Sequence, residues 1–160
     1  MSEDLDQRAA PLPEAQWHAL LEAARGARER AYAPYSHFHV GAALLDEAGR
    51  IHAGCNVENA AYPEGVCAEA GALSALVLAG GRRIVAAVVV GAGTEPVTPC
   101  GGCRQKLREF GAPSLPVRIA DAQGWRGEHT LAALLPSSFG PQNLSTSPLP
   151  ASQKDSGDAS

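Results

Sequence analysis

A chain of 160 residues with 45% hydrophobic content is sized for one domain with an ordinary buried core. Its formal charge of −4 and isoelectric point near 5.7 argue against a polyanion as the main partner, because a phosphate backbone calls for clustered lysine and arginine. No apolar run is long enough to span a bilayer, and Met1-Ser2-Glu3-Asp4-Leu5-Asp6 is acidic where a secretory leader would be basic and then apolar. The expectation is therefore a cytoplasmic protein without membrane partners, whose four cysteines point to metal before disulfide.

Residues 1–12 are polar and expected to form a disordered extension. From Pro13 to Ala31 the apolar positions Trp17, Leu20, Leu21, Ala24, Ala27 and Ala31 recur at helical spacing, and Pro34 ends the pattern. Tyr35 to Asp46 alternates and then turns fully apolar, and Arg50 to Cys55 follows across Glu47-Ala48-Gly49, so the two read as a β-hairpin. Within it, Phe38 sits among polar neighbours and reads first as a core residue and second as an aromatic wall for a flat ligand. His18, His37, His39 and His52 show no ligand spacing and read as ordinary surface or strand histidines. Arg25, Arg28 and Arg30, with Arg82 and Arg83, read as a solvated helix face and a loop.

Gly54 to Ala79 contains a segment apolar nearly all round, which reads as a buried helix beginning near Cys67. Gly80-Gly81 break it before Ile84 to Gly91, a continuous β-branched run that fits a central strand covered on both faces. A second helix starts at Cys100 and runs to Phe110, stopped by Gly111 and Pro113. Val117 to Ala120 reads as a strand and Leu131 to Leu135 as a short helix. Two strands, then helix, strand, helix, strand, make a three-layer α/β/α sandwich the economical architecture, with a central mixed sheet of about five strands over residues 13–144. Residues 145–160 turn to Ser, Pro, Gln, Asp and Gly and are expected to form a disordered tail.

The chemistry concentrates at the two helix starts. Cys100 and Cys103 stand three apart and face the same way, and Cys67 precedes Glu69 by two. Three thiolates on Zn²⁺ leave one tetrahedral corner for water, as in a catalytic site; a closed structural site takes four protein ligands, and Cys55 would be the obvious fourth. Hydrolysis of a carbon–nitrogen bond at neutral pH needs water made acidic by a metal and a proton carrier that the metal does not hold, the role open to Glu69. Residues two apart on a helix do not share a face, so the metal should lie beyond the helix N-termini, where both dipoles favour thiolates.

Cys-x-Glu followed by Pro-Cys-x-x-Cys resembles the signature of zinc nucleobase deaminases, with cysteine at the first ligand position. Over residues 13–144 the chain resembles a small homotetrameric cytidine deaminase. The resemblance rests on Ala31-Tyr32-Ala33-Pro34-Tyr35-Ser36-His37-Phe38-His39-Val40-Gly41-Ala42-Ala43-Leu44, on Gly54-Cys55-Asn56-Val57-Glu58-Asn59-Ala60, on Cys67-Ala68-Glu69, on Pro99-Cys100-Gly101-Gly102-Cys103-Arg104-Gln105, and on Leu135-Pro136-Ser137-Ser138-Phe139-Gly140-Pro141.

It implies one zinc per subunit on Cys67, Cys100 and Cys103, Glu69 as the proton shuttle, and a free nucleoside, cytidine or 2′-deoxycytidine, as substrate in pyrimidine salvage. It implies Asn56 and Glu58 at the ribose, Phe38, Tyr62 and Ala68 beside the substrate, and Phe139 closing the site from a neighbouring subunit. Family members often carry arginine straight after Cys-Ala-Glu; Ala70 stands there in this chain, and Arg104 is the expected charge-tuning substitute. Three other readings compete: deamination of a related aminated nucleoside, a non-catalytic zinc module, and a nucleic-acid deaminase, the last opposed by net charge and by Glu58.

Overall fold

The structure, a computed structural model, describes residues 11–144; the disordered stretches expected at either end otherwise lie outside the described residues. Helix α1 (Glu14–Arg28) buries Trp17, Leu20, Leu21 and Ala24, the i, i+3, i+4, i+7 stripe of an amphipathic helix. It stops short of Ala31. Arg30 N–H donates to Ala27 O and Tyr32 N–H to Asn56 O, so the chain is drawn out of the helix into a bridge with Val57.

Strand β1 (Gly41–Asp46) pairs antiparallel with β2 (Ile51–Cys55) on one side and with β3 (Ile84–Val90) on the other, which explains why all six of its residues are buried. The strand expected from Tyr35 therefore begins six residues later. Residues 35–40 form a loop held by side chains from the far end of β2, and His37 adopts a left-handed backbone with φ of +57°. Strand β4 (Pro116–Ala120) pairs parallel with β3, and β5 (Trp125–Thr130) closes the mixed five-stranded sheet in the order β2-β1-β3-β4-β5. Only β5 escaped the sequence reading. Its residues Trp-Arg-Gly-Glu-His-Thr alternate between half-buried and exposed, the pattern of a charged edge strand with no apolar run to mark it.

Helix α2 (Ala68–Leu78) connects β2 to β3, α3 (Gly101–Phe110) makes the crossover from β3 to β4, and α4 (Leu131–Leu134) follows β5. The strands' alternating side chains supply two cores. Ala43, Leu45, Ala86, Val88 and Val90 pack under α1; Ala42, Leu44, Ala87, Val89, Val117 and Ile119 pack with Ala72 and Leu76 of α2, Leu107 of α3 and Leu131 of α4. The result is the expected three-layer α/β/α sandwich. No helix among the described residues is long and apolar enough to cross a membrane.

Two features seat α2. A Cβ on Gly54 would come within 2.2 Å of Ala72 N and 2.4 Å of Ala68 O, so β2 meets the helix backbone to backbone. At the other end the buried Asp46 carboxylate accepts from the backbone N–H groups of Ala48 and Arg50, both at 2.9 Å, and from Arg50 Nε at 2.7 Å, and pairs with His52 Nε2 at 2.8 Å. Arg50 Nη1 then donates to Ala79 O at 2.7 Å, tying the hairpin to the end of α2. His52 is thus a buried, partnered strand histidine.

Candidate active site

Cys67 and Cys100 are the residues immediately before α2 and α3, both in extended conformation, and Cys103 lies in the first turn of α3. Their Sγ atoms all lie within 4.8 Å of one another, with Cys67 and Cys100 at 3.8 Å. Bonds of about 2.3 Å at tetrahedral angles place two zinc-bound sulfurs about 3.8 Å apart. The spacing matches. Cys103 is buried and the other two reach solvent, so the sulfur triangle is backed by protein on one side. Cys55, at the end of β2 opposite Gly41, does not belong to this group, which removes the fourth ligand of a closed knot.

The thiols themselves call for a cation. Burial raises all three; at Cys100 the backbone N–H of Cys103 and the side chains of Cys103 and Cys67 outweigh it and hold the thiol below its ordinary value. Cys67 is pushed up by burial and then by the charge of Cys100, and Cys103 is pushed far up by burial and then by the charge of Glu69. Of the three, only Cys100 is held below its ordinary value. A soft all-sulfur donor set on two helix N-termini fits zinc.

Glu69 occupies the first turn of α2 and is 6% exposed. Burial pushes its carboxyl up, against the pull of its own backbone N–H, of the Cys103 thiol and of the Lys106 charge. The carboxyl therefore lies beside Cys103 without being a ligand, in a setting that favours carrying a proton in both directions. The helical difficulty with Cys67 and Glu69 disappears because Cys67, with ψ of 154°, precedes the helix. Lys106, whose charge reaches Glu69 from α3, went unremarked in the sequence; a lysine three residues past Cys103 is the only local signal.

A cleft of about 330 Å³ is lined by Tyr35, Ser36, Glu58, Asn59, Tyr62 and Gly65. Glu58 accepts from Tyr35 N–H at 3.0 Å, from Ser36 N–H at 3.2 Å and from the Ser36 hydroxyl, and these bonds, the hydroxyl's first, hold its carboxyl below the usual range. Asn56 donates from Nδ2 to Phe38 O and accepts from Val40 N–H, both at 2.8 Å, which still leaves one amide hydrogen free for a ligand. Both side chains thus shape the loop that bears Phe38.

Phe38 itself is 41% exposed, which corrects its first reading as core; Asn56 pins its carbonyl and the N–H of Val40. Tyr62 is exposed on a short 3-10 turn (Tyr62–Glu64) with its ring 5.8 Å from that of Tyr35, and Phe139 is exposed near the end of the described chain. Ala68 is fully buried, with its carbonyl packed against Gly54. Tyr35, Ser36, Asn59 and Gly65 were not anticipated, although the Pro and Ser in Pro34-Tyr35-Ser36 already carried a loop signal. Arg104 donates from Nε to Pro99 O at 2.7 Å, from Nη1 to Leu134 O at 2.8 Å and from Nη2 to Thr98 Oγ1 at 3.0 Å. Its guanidinium braces the Thr98-Pro99 approach to Cys100.

Residues 15–118 match the family model described as the cytidine and deoxycytidylate deaminase zinc-binding region. A cytidine deaminase of Sporosarcina psychrophila is 47% identical over 79% of this chain and 93% of its own length, and one of Mycobacterium tuberculosis is 40% identical over 83% and 96%. Among solved structures, the cytidine deaminase of Burkholderia pseudomallei superposes with a TM-score of 0.73 at 48% identity, covering 76% of this chain and 98% of that one. The cytidine deaminase of Mycobacterium leprae gives 0.65 at 44% identity, covering 75% and 97%. One zinc ion per chain, on Cys67, Cys100 and Cys103, accords with both the sulfur geometry and the matched region. The chain is a zinc-dependent hydrolytic deaminase and belongs to the cytidine and deoxycytidylate deaminase family.

Proposed function

We propose that this protein hydrolyses free cytidine and 2′-deoxycytidine to uridine and 2′-deoxyuridine with release of ammonia, in pyrimidine salvage. The observation that carries the reading is the pairing of three converging sulfurs with a buried, unligated carboxyl beside them. When bound, zinc lowers the pKa of a water from about 16 to about 7. Glu69 accepts a proton from the attacking water and delivers it to ring N3, which makes C4 electrophilic. It then takes up the second proton of that water, from the hydroxyl now on C4, and passes it to the amine as ammonia departs. Burial, which raises the Glu69 carboxyl, suits it to both transfers.

The cleft residues supply specificity. Glu58, ionised and held by the loop, accepts a hydrogen bond from the ribose 3′-hydroxyl, with Asn56 beside it. A phosphodiester at that oxygen has no proton to donate and brings a like charge, so free nucleosides are taken and strands are refused. Phe38 and Tyr62 flank the pyrimidine, and Ala68 contributes a backbone group. Phe139 closes the site of a neighbouring subunit in a cytoplasmic homotetramer, a role supported by its exposure.

Ammonia release and zinc content, measured together for the parent and Glu69→Gln, test the reading. Zinc is retained and turnover falls by at least about 10⁴-fold, because the shuttle acts at more than one step. Loss of zinc in Glu69→Gln, or retained turnover, overturns the assignment.

A further inference from the structure

Arg108, near the end of α3, is a buried cation among the described residues and pairs with no carboxylate there. Its guanidinium donates from Nε to Ser138 Oγ at 3.0 Å, from Nη2 to Gln142 Oε1 at 2.9 Å and, more weakly, from Nη1 to Gly111 O at 3.5 Å. Three residues earlier on the same face, Gln105 Nε2 donates to Phe139 O at 2.9 Å. Gly140 lies on the guanidinium: a Cβ there would stand 2.7 Å from Nη2 and 2.8 Å from Cζ of Arg108. Ser137, just before this stretch, is held at φ of +51°, a conformation that a serine keeps only when its surroundings impose it. Gly140 N–H donates to Asn143 Oδ1 at 2.7 Å and closes the stretch.

Apart from the weak bond to Gly111 O, these contacts fix backbone or polar groups of residues 138–143, and none of them covers Phe139, which is 57% exposed. Holding an exposed aromatic this firmly costs conformational entropy without burying its area within the chain, so the return must come from what the ring meets outside it. The restraint also originates from one helix. Cys100 immediately precedes it and Cys103 lies in its first turn, while Gln105 and Arg108 follow further along it.

We propose that Gln105 and Arg108 are positioning residues that set where Phe139 is presented, so that α3 holds the metal ligands of one site and the aromatic closure of another. The inference rests on the reading of Phe139 as a lid residue for a neighbouring subunit. Arg108 acts here as a planar fork rather than as a charge, since its partners are neutral oxygens. A lysine keeps the charge and loses the fork.

The test compares KM, kcat and zinc per chain with cytidine as substrate for Gln105→Ala, Arg108→Lys, Gly140→Ala and Phe139→Ala. Gln105→Ala removes one bond from an exposed side chain and leaves the core untouched; KM rises between about twofold and about tenfold, the range for a single hydrogen bond, with kcat and zinc content at parent values. Arg108→Lys and Gly140→Ala raise KM further with the same split, and Phe139→Ala raises it most. If Phe139→Ala raises KM while Gln105→Ala and Arg108→Lys keep the parent value, the positioning role is wrong and the lid reading stands. A parent KM in Phe139→Ala overturns both. A fall in kcat and zinc content in step with any rise in KM, for Gln105→Ala, reduces the contact to general support of α3 and also overturns the proposal.

Discussion

Gly54→Ala places a methyl group where β2 and α2 meet. The added Cβ would stand 2.2 Å from Ala72 N and 2.4 Å from Ala68 O, where ordinary contact begins at 3.4 Å, so strand and helix backbones must separate by roughly the 1.2 Å difference. None of the atoms in the way belongs to a flexible side chain. Overpacking of this kind costs about 1–3 kcal/mol, and at about 2–4 °C per kcal/mol the Tm falls by roughly 2–12 °C. The displacement also reaches the metal. Ala68 is the first residue of α2, and Cys67 immediately before it must keep its sulfur 3.8 Å from that of Cys100. Zinc affinity should therefore fall by about 10- to 100-fold, the range seen when groups supporting a ligand are lost. Thermal unfolding and competition for zinc with a chromogenic chelator measure the two effects. Gly26→Ala is the control: it lies within α1, nothing stands within 4 Å of an added Cβ, and the same change should stabilise by about 0.5–1 kcal/mol. Parent stability and parent zinc affinity in Gly54→Ala would refute the claim that β2 seats the metal-bearing end of α2.

Deoxycytidine should be turned over by the purified enzyme, because the groups placed at the ribose address the 3′-oxygen; failure with that substrate would overturn the assignment of Glu58 and Asn56. Arg104→Ala removes the brace on Thr98 and Pro99, and zinc affinity should fall by about 10- to 100-fold with a shift of the acid limb of the rate profile. A fall in affinity without that shift leaves Arg104 a mechanical role only, and no change in either removes it from the site. Burial raises the Asp46 carboxyl, yet hydrogen bonds from His52, Arg50 and Ala48 outweigh it and hold the group well below its ordinary value. The folded protein then binds this proton less readily than the unfolded chain, so the contribution is complete above about pH 4 and is lost as pH falls through the folded value. In urea titrations the stability difference between the parent and Asp46→Asn should be largest near neutrality and shrink below about pH 4; a difference independent of pH would sink the linkage.

How much of this was legible beforehand depended on how local the signal was. Four helices and four strands stood out, some by apolar residues recurring on one face and others as continuous apolar runs, because burial forces either pattern. The charged strand Trp125–Thr130 did not, since it gains its place from pairing with β4 and not from an apolar face of its own. Tyr35 to Val40 looked like strand because alternation is all a sequence can display; the loop there is made by Asn56 and Glu58, which lie some twenty residues further on. The residues alone put Phe38 in the core for the same reason, where the family resemblance placed it beside the substrate.

The sequence by itself determined the chemistry. Cysteines at Cys67, Cys100 and Cys103 with Glu69 two residues past the first are a donor set and a proton carrier whatever surrounds them, because ligand type and helix-start spacing are local properties. Only the tertiary structure decided that the three sulfurs meet at the right spacing, that Cys55 stays out, and that Glu69 is buried. Those facts depend on how α2 and α3 lie against one sheet, and long-range packing sets that arrangement through contacts such as Gly54 against Ala68 and Ala72, which carry no mark in the order of residues.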